Sequence, residues 1–343
     1  MTGGLEALGL DVRFGDSPGL DGLSFNAAPA ERLVLLGASG AGKTTLLRAL
    51  AGLAPIASGR ILIGGRDVTA EPTERRDAVY LHQTPRLFPH LSVFENVAFP
   101  LRIRGVSTPE LISRVESLLE SVRLPEYGHR RPHTLSGGQR HRVALARAMA
   151  ARPAVLLLDE PFASLEPSLR GDVRTALFDL QSEYQPAVVL VTHDLDAAAA
   201  LGHRIGVLLQ GRLVQVAAPD VLFRHPASLA VARFLGIPNA VPGRVVAGRF
   251  ESPLGSFRLA ELASEGRAVA VFSADALRIT ADGVEGRVVE LRHGPARALA
   301  TVRVGDLMLT VAPSPGALPD PGALIRLGLD PGQVTLCPEV PNA

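Results

Sequence analysis

The chain has 343 residues, 47% hydrophobic and 20% charged, which excludes a disordered polymer and leaves room for about two packed domains. Its formal net charge of +1, with dispersed arginines and only 4% aromatic residues, gives no basis for nucleic acid as a partner. Cys337 is the single cysteine, so no internal disulfide is possible and a reducing compartment is expected.

Residues 1–6 lack the basic start and apolar run of a signal peptide. No stretch reaches the roughly 18 uninterrupted apolar residues of a spanning helix. The longest candidate, 188–209, is broken by His193, Asp194, Asp196, His203 and Arg204. A membrane span, if one is needed, is expected on another chain.

The apolar run 32–36 predicts a strand that leads into Gly37-Ala38-Ser39-Gly40-Ala41-Gly42-Lys43-Thr44, followed by a helix over 45–52. The octapeptide has the G-x-x-x-x-G-K-[ST] spacing of a phosphate-binding loop. Of the 35 basic residues only Lys43 is a lysine. A compact ammonium fits between β- and γ-phosphate oxygens where a planar guanidinium is too wide. Backbone N–H groups of Gly40 to Thr45 would cradle phosphates at a helix N-terminus, and the Thr44 hydroxyl would ligate Mg²⁺.

Further along, 78–81 is a short apolar run followed by Gln83, and 93–104 has helical spacing. His129 and His133 have i, i+4 spacing, but Pro132 between them predicts loop histidines rather than metal ligands. Ser136, Gly137, Gly138 and Gln139 precede a helix expected over 140–151, so that turn is an anion site open to close backbone approach. The run 154–158 predicts a buried strand ending in Asp159 and Glu160. A carboxylate there needs a cation to serve. Asp159 is placed for Mg²⁺, and Glu160 for orienting or deprotonating an attacking water. A helix over 169–184 and a second continuous apolar run, 187–191, complete a βαβ pattern whose ligands sit at the carboxyl ends of its strands.

From about 236 the texture changes, with Gly and Pro recurring and helical periodicity lost. The predicted strands are 243–248, 268–272, 286–291, 300–304, 307–311, 323–329 and 333–337, and Gly305-Asp306 reads as a two-residue hairpin turn. The pattern predicts a small β-barrel domain over 236–343 behind an α/β domain over 1–235, with 237–239 as linker. Cys337 falls in an apparent strand and reads as a buried structural residue.

The phosphate loop, the Ser136-Gly137-Gly138-Gln139 turn and the Asp159-Glu160 pair, in this order, resemble the ATP-binding cassette (ABC) ATPases over roughly residues 5–235. By that resemblance Gln83 matches the glutamine that reaches Mg²⁺ and the attacking water. His193 matches the histidine that contacts the γ-phosphate, and Phe14 the aromatic that stacks on adenine. Glu166 stands where the family usually has Asp, in a loop that crosses the family's dimer interface. The β-rich extension looks like the OB-like TOBE-type domain found on ATPases of sugar, polyamine, iron, sulfate and molybdate uptake systems.

The resemblance implies an ATP-hydrolysing subunit on the cytoplasmic face of a membrane. Two copies would sandwich two ATPs between the loop of one and the Ser136 turn of the other. Its partners would be membrane permease subunits, met through the segment 87–104, and indirectly an extracytoplasmic solute-binding protein. Residues 87–90 are similar to those of ion and polyamine importers, and the transported substrate stays open. Two other readings are an exporter ATPase, which would often carry fused spans, and a soluble ABC ATPase acting on DNA or ribosomes. The latter would show long heptads or a second cassette.

Overall fold

In chain order, strands β1 (Leu5–Phe14), β2 (Ser17–Ala27) and β3 (Arg32–Leu36) precede helix α1 (Lys43–Leu50), with β4 (Ser58–Ile63), β5 (Arg66–Asp67) and β6 (Ala78–Leu81) after it. Helices α2 (Val93–Ile103), α3 (Thr108–Ser121) and α4 (Gly137–Ala150) lead to β7 (Val155–Asp159) and α5 (Pro167–Tyr184). Then come β8 (Ala187–Thr192), α6 (Leu195–Leu201), β9 (Arg204–Leu209) and β10 (Arg212–Ala217). The computed structural model describes residues 4–14, 17–258, 265–294, 297–314 and 318–338. The chain divides into two compact units, Met1–Val216 and Ala217–Ala343.

The first unit is built on a six-stranded sheet of order β10-β9-β3-β8-β7-β6, in which β9, β3, β8, β7 and β6 run parallel. All residues of β7 and β8 are buried, and all but the first of β3. Strands enclosed on both faces have no solvent side to mark with polar residues, so these sequences do not alternate. Because the strands are parallel, the chain leaves β3, β6, β7 and β8 at one edge of the sheet. The Gly37 loop, Gln83, Glu160 and His193 all follow directly from those ends.

A second, antiparallel sheet of order β2-β1-β4-β5 shares its core with the first. Leu10, Leu23 and Ile61 pack with Leu46, Leu47 and Leu50 of α1 and with Leu33, Leu157 and Val189 of the parallel sheet. Helix α1 is thereby fixed at the site by both sheets. It starts at Lys43, two residues before the predicted start, and α4 starts at Gly137, three before. In α4 the reason is a capping box: the Ser136 hydroxyl accepts from the Gln139 N–H at 3.3 Å, and Gln139 Oε1 accepts from the Ser136 N–H at 2.9 Å. Helix α4 packs against α2, α3 and α5.

The second unit opens with helices α7 (Pro219–Arg224) and α8 (Leu229–Phe234). Strands β11 (Asn239–Val246), β12 (Arg249–Ser252), β13 (Gly255–Arg258), β14 (Gly266–Phe272), β15 (Leu277–His293), β16 (Ala298–Val304), β17 (Leu307–Val311), β18 (Leu324–Leu329) and β19 (Thr335–Pro338) follow. They form two antiparallel sheets, β13-β12-β11-β14-β19 and β17-β16-β15-β18. Phe250, Ala270 and Phe272 of the first share a core with Val288, Val302 and Leu309 of the second. The predicted hairpin forms, with Gly305 in the left-handed region at φ 56° between β16 and β17. Where the texture change placed a boundary at 236, the compact units divide at Val216/Ala217. Ala232 of α8, with Leu229 beside it, packs on Val269 and Val271 of β14 and on Cys337 of β19. Among the described residues no helix is long and apolar enough to cross a membrane.

Candidate functional site

The glycine loop turns between β3 and α1 because two of its residues take backbone angles that side chains resist. Gly40 and Gly42 have φ of 82° and 99°. A Cβ at Gly42 would also stand 2.7 Å from Leu20 Cδ2 and 2.9 Å from the Gly19 carbonyl. Gly42 caps α1 without a side-chain hydrogen bond, and the first turn holds no acidic residue. The amides of that turn are left for an anion, with the positive end of the helix dipole behind them.

A cleft of about 740 Å³ opens in front of this loop. It is lined by Ser39, Gly40, Ala41, Gly42, Lys43, Thr44 and Thr45, together with Gln83, Glu160 and His193. Gly19, Gln210 and Gly211 complete it, three residues that no motif pointed to. Gly37 and Ala38 take part through their carbonyls, which accept from Lys43 Nζ at 2.6 and 3.1 Å. The lysine is buried, and desolvation pulls its pKa below the ordinary value, opposed by the charges of Glu160 and Asp159. Lys43 Nζ lies 3.9 Å from Glu160 Oε1.

Glu160 takes φ 46°, a left-handed conformation that costs a non-glycine residue about 1–2 kcal/mol. Its amide donates to the Val191 carbonyl at 3.1 Å, which fixes the turn at the end of β7. The carboxylate meets His193, whose Nδ1 is 2.8 Å from Glu160 Oε1. Backbone strain at a residue aimed into a cleft, with two cationic or protonatable neighbours, is the pattern of a functional carboxylate.

Asp159 is buried at the end of β7. Its Oδ1 accepts from the Thr44 hydroxyl at 3.1 Å and its Oδ2 from the Tyr80 hydroxyl at 2.7 Å. Thr44, Asp159 and Gln83 line a neighbouring cavity of about 670 Å³, with Tyr80, His82, Arg48 and Arg86. A hydroxyl, a carboxylate and a carboxamide are hard oxygen donors suited to Mg²⁺. Among the described residues no cluster of three or more His, Cys, Asp or Glu side chains could hold a metal by itself. The set fits an ion that takes its other oxygens from phosphates and water.

Ser136, Gly137, Gly138 and Gln139 are not among the residues that line the loop's own cleft. They sit at the start of α4, where the Ser136 cap and the Gln139 contact with the Tyr127 hydroxyl at 3.3 Å hold the turn rigid. A Cβ on Gly138 would meet Leu169 Cβ at 3.3 Å. Phe14 ends β1, and its side chain lies outside the described residues. The histidines at 129 and 133 stand in and beside a 3₁₀ turn, Pro132–Thr134.

The family model described as ABC transporter matches residues 20–163. A spermidine/putrescine import ATP-binding protein of Nitrosomonas europaea is 44% identical over 241 residues, covering 70% of this chain and 67% of that protein. An Fe(3+) ions import ATP-binding protein of Agrobacterium fabrum is 46% identical, covering 68% and 66%. A molybdate/tungstate import ATP-binding protein of Pyrococcus horikoshii is 41% identical, covering 64% of each chain. Among solved structures, the dimeric ATP-binding cassette MJ0796 in a post-hydrolysis state, bound to ADP and Pi, superposes with a TM-score of 0.55 at 28% identity. It covers 63% of this chain and 98% of that one.

Proposed function

From the premise that this chain belongs to the ABC transporter family, we propose that it is the ATP-hydrolysing, energy-coupling subunit of an importer for an inorganic ion or a polyamine. The observation that carries the reading is the convergence on Glu160. Its Oε1 lies 2.8 Å from His193 Nδ1 and 3.9 Å from Lys43 Nζ, at the mouth of an uncapped helix.

In this reading Lys43 and the amides of Gly40 to Thr45 hold the β- and γ-phosphates. Thr44, Asp159 and Gln83 hold Mg²⁺, which when bound neutralises charge on the transferring phosphoryl group. Glu160 orients the attacking water and takes its proton. His193 steadies the Glu160 carboxylate and the γ-phosphate. Phe14 stacks on adenine. Ser136 to Gln139 serve the nucleotide of a second copy, an assignment supported by their absence from the lining of the chain's own cleft. Residues 236–343 form a TOBE-like regulatory domain.

The assembly in this reading is two copies of the chain on the cytoplasmic face of the membrane, held by permease subunits and served by an extracytoplasmic solute-binding protein. The names of the relatives, all import ATP-binding proteins, support the permease partner. The dimeric cassette supports the second copy.

Two measurements test it. Mixing Ser136→Arg protein with Lys43→Ala protein should restore ATP hydrolysis that neither shows alone, because one composite site is then whole. In cells lacking the chain, uptake of labelled putrescine, Fe³⁺ and molybdate should show one substrate lost, restored by the wild type and not by Lys43→Ala. No change in any of the three would remove the importer assignment for this substrate group.

A further inference from the structure

The loop that carries Gln83 and the helix that carries the Ser136 turn meet at one backbone oxygen, the Gln83 carbonyl. His141, buried in the second turn of α4, places Nε2 3.2 Å from the Gln83 carbonyl and Nδ1 3.0 Å from the Gly137 carbonyl. The Ser164 hydroxyl donates to the same Gln83 oxygen at 3.2 Å. Ser164 lies in the loop that runs from Glu160 to α5, and the next residue, Leu165, packs 3.7 Å from where a Cβ of Gly137 would stand. Further along α4, Arg147 Nη2 donates to the Arg86 carbonyl at 2.7 Å, so the helix grips the Gln83 loop at a second point.

Three segments therefore meet at one carbonyl: the Gln83 loop, the loop after Glu160, and α4 through His141. Both ring nitrogens of His141 face acceptors, and a neutral ring donates through only one of them. Ser164 keeps the Gln83 oxygen bonded whichever nitrogen carries the proton. With the proton on Nε2 the ring donates to the Gln83 carbonyl, and because His141 is itself part of α4, that one directional bond ties the loop to the helix in a way that apolar packing does not.

We propose that His141, assisted by Ser164, is a positioning residue for hydrolysis: it locks the Gln83 loop to the Gly137 turn so that the two move as one body. The proposal rests on the reading of Gln83 as a residue at the Mg²⁺ and the attacking water. The side chain that faces the chain's own phosphates and the turn offered to a second copy's nucleotide are then set by one clasp. Closure on the partner and correct placement of Gln83 become a single event.

The test is a double-mutant cycle in the full chain. His141→Leu should lower kcat by about 10-fold while KM for ATP stays within about twofold, since the clasp acts after binding. In a Gln83→Ala background the same change should cost less than about twofold, because the group it positions is gone. His141→Gln, whose amide nitrogen reaches the place of Nε2, should recover most of the activity. Ser164→Ala, at an exposed position, should show a smaller loss of the same kind. An equal loss in both backgrounds would overturn the proposal and leave His141 a packing residue. Should Gln83→Ala itself keep full kcat, the reading of Gln83 fails, and amide hydrogen exchange decides the clasp separately. With ADP and Mg²⁺, His141→Leu should raise exchange at residues 83–88 above that of the remainder of α4, and unchanged exchange there would reject it.

Discussion

The Tyr80 hydroxyl donates to Asp159 Oδ2 at 2.7 Å while the Thr44 hydroxyl donates to Oδ1 at 3.1 Å, so the carboxylate is held from both sides. Burial, then the hydrogen bond and charge of Asp159, push the Tyr80 phenol well above its ordinary pKa. A raised pKa keeps the group protonated, so Tyr80 remains a neutral donor at any working pH. Tyr80 orients Asp159, the carboxylate proposed to hold Mg²⁺, in the way an outer partner orients a metal ligand.

Tyr80→Phe keeps the ring and removes that donor. The Mg²⁺ concentration for half-maximal ATP hydrolysis should rise by about 10-fold, and the fold should lose about 1 kcal/mol. A Mg²⁺ titration of ATPase activity checks this. An unchanged midpoint would mean that Thr44 alone orients the carboxylate.

Which residues gather at the candidate cleft was largely legible, because they sit in short, contiguous spacings. Lys43, Thr44, Asp159 and Glu160 lie next to strand ends that apolar runs mark clearly, and parallel pairing of β3, β6, β7 and β8 gathers those ends. Tyr80, His141 and Ser164 were not legible. Each acts through a partner far away in sequence, Asp159 for the first and Gln83 for the others, and no local periodicity encodes such a pair. The side to which α7 and α8 belong was also invisible. Their helical pattern continues that of the α/β region, and it is the three-dimensional packing, for α8 that of Ala232 on β14 and β19, that groups them with the second unit. The all-β region expected from short strands forms as two antiparallel sheets around one core; alternation specifies which face is buried but not how the strands are ordered.

Lys43→Arg retains the charge and should still fail. The ammonium fits between the Gly37 and Ala38 carbonyls, at 2.6 and 3.1 Å, in a space that a planar fork overfills. Nucleotide affinity should fall by about 10-fold or more, on the order of 1.4 kcal/mol. A fluorescent-nucleotide titration giving equal affinity would show that the loop needs only a positive charge.

Glu160→Gln should bind ATP normally and hydrolyse it at least ~10²-fold more slowly, because it removes the proposed base and leaves the phosphate loop intact. With ATP and Mg²⁺ the variant should elute as a dimer in size-exclusion chromatography. Near-normal turnover would move the base to another residue, with His193, 2.8 Å away, the first to examine.

Truncation should be tolerated at the boundary between the compact units and not at the texture change. Residues 1–217 end with β10 complete, whereas residues 1–235 retain α8 without the strands that bury Leu229 and Ala232. The shorter piece should be the more soluble and should bind ATP. The longer one should aggregate through its unpartnered apolar face. Equal soluble yields, with both pieces monodisperse on size-exclusion, would show that α8 finds other cover.

Cys337 is fully buried in β19, within 3.8 Å of the Pro226 carbonyl, and desolvation raises its pKa. Thiolate, the form that alkylating agents attack, is therefore both scarce and shielded until β19 separates from the chain before α8. The protein thus carries its own clock for the opening of its second unit. The rate at which an added maleimide consumes the one thiol reads how often that unit breathes, with no introduced label and no signal from the first unit.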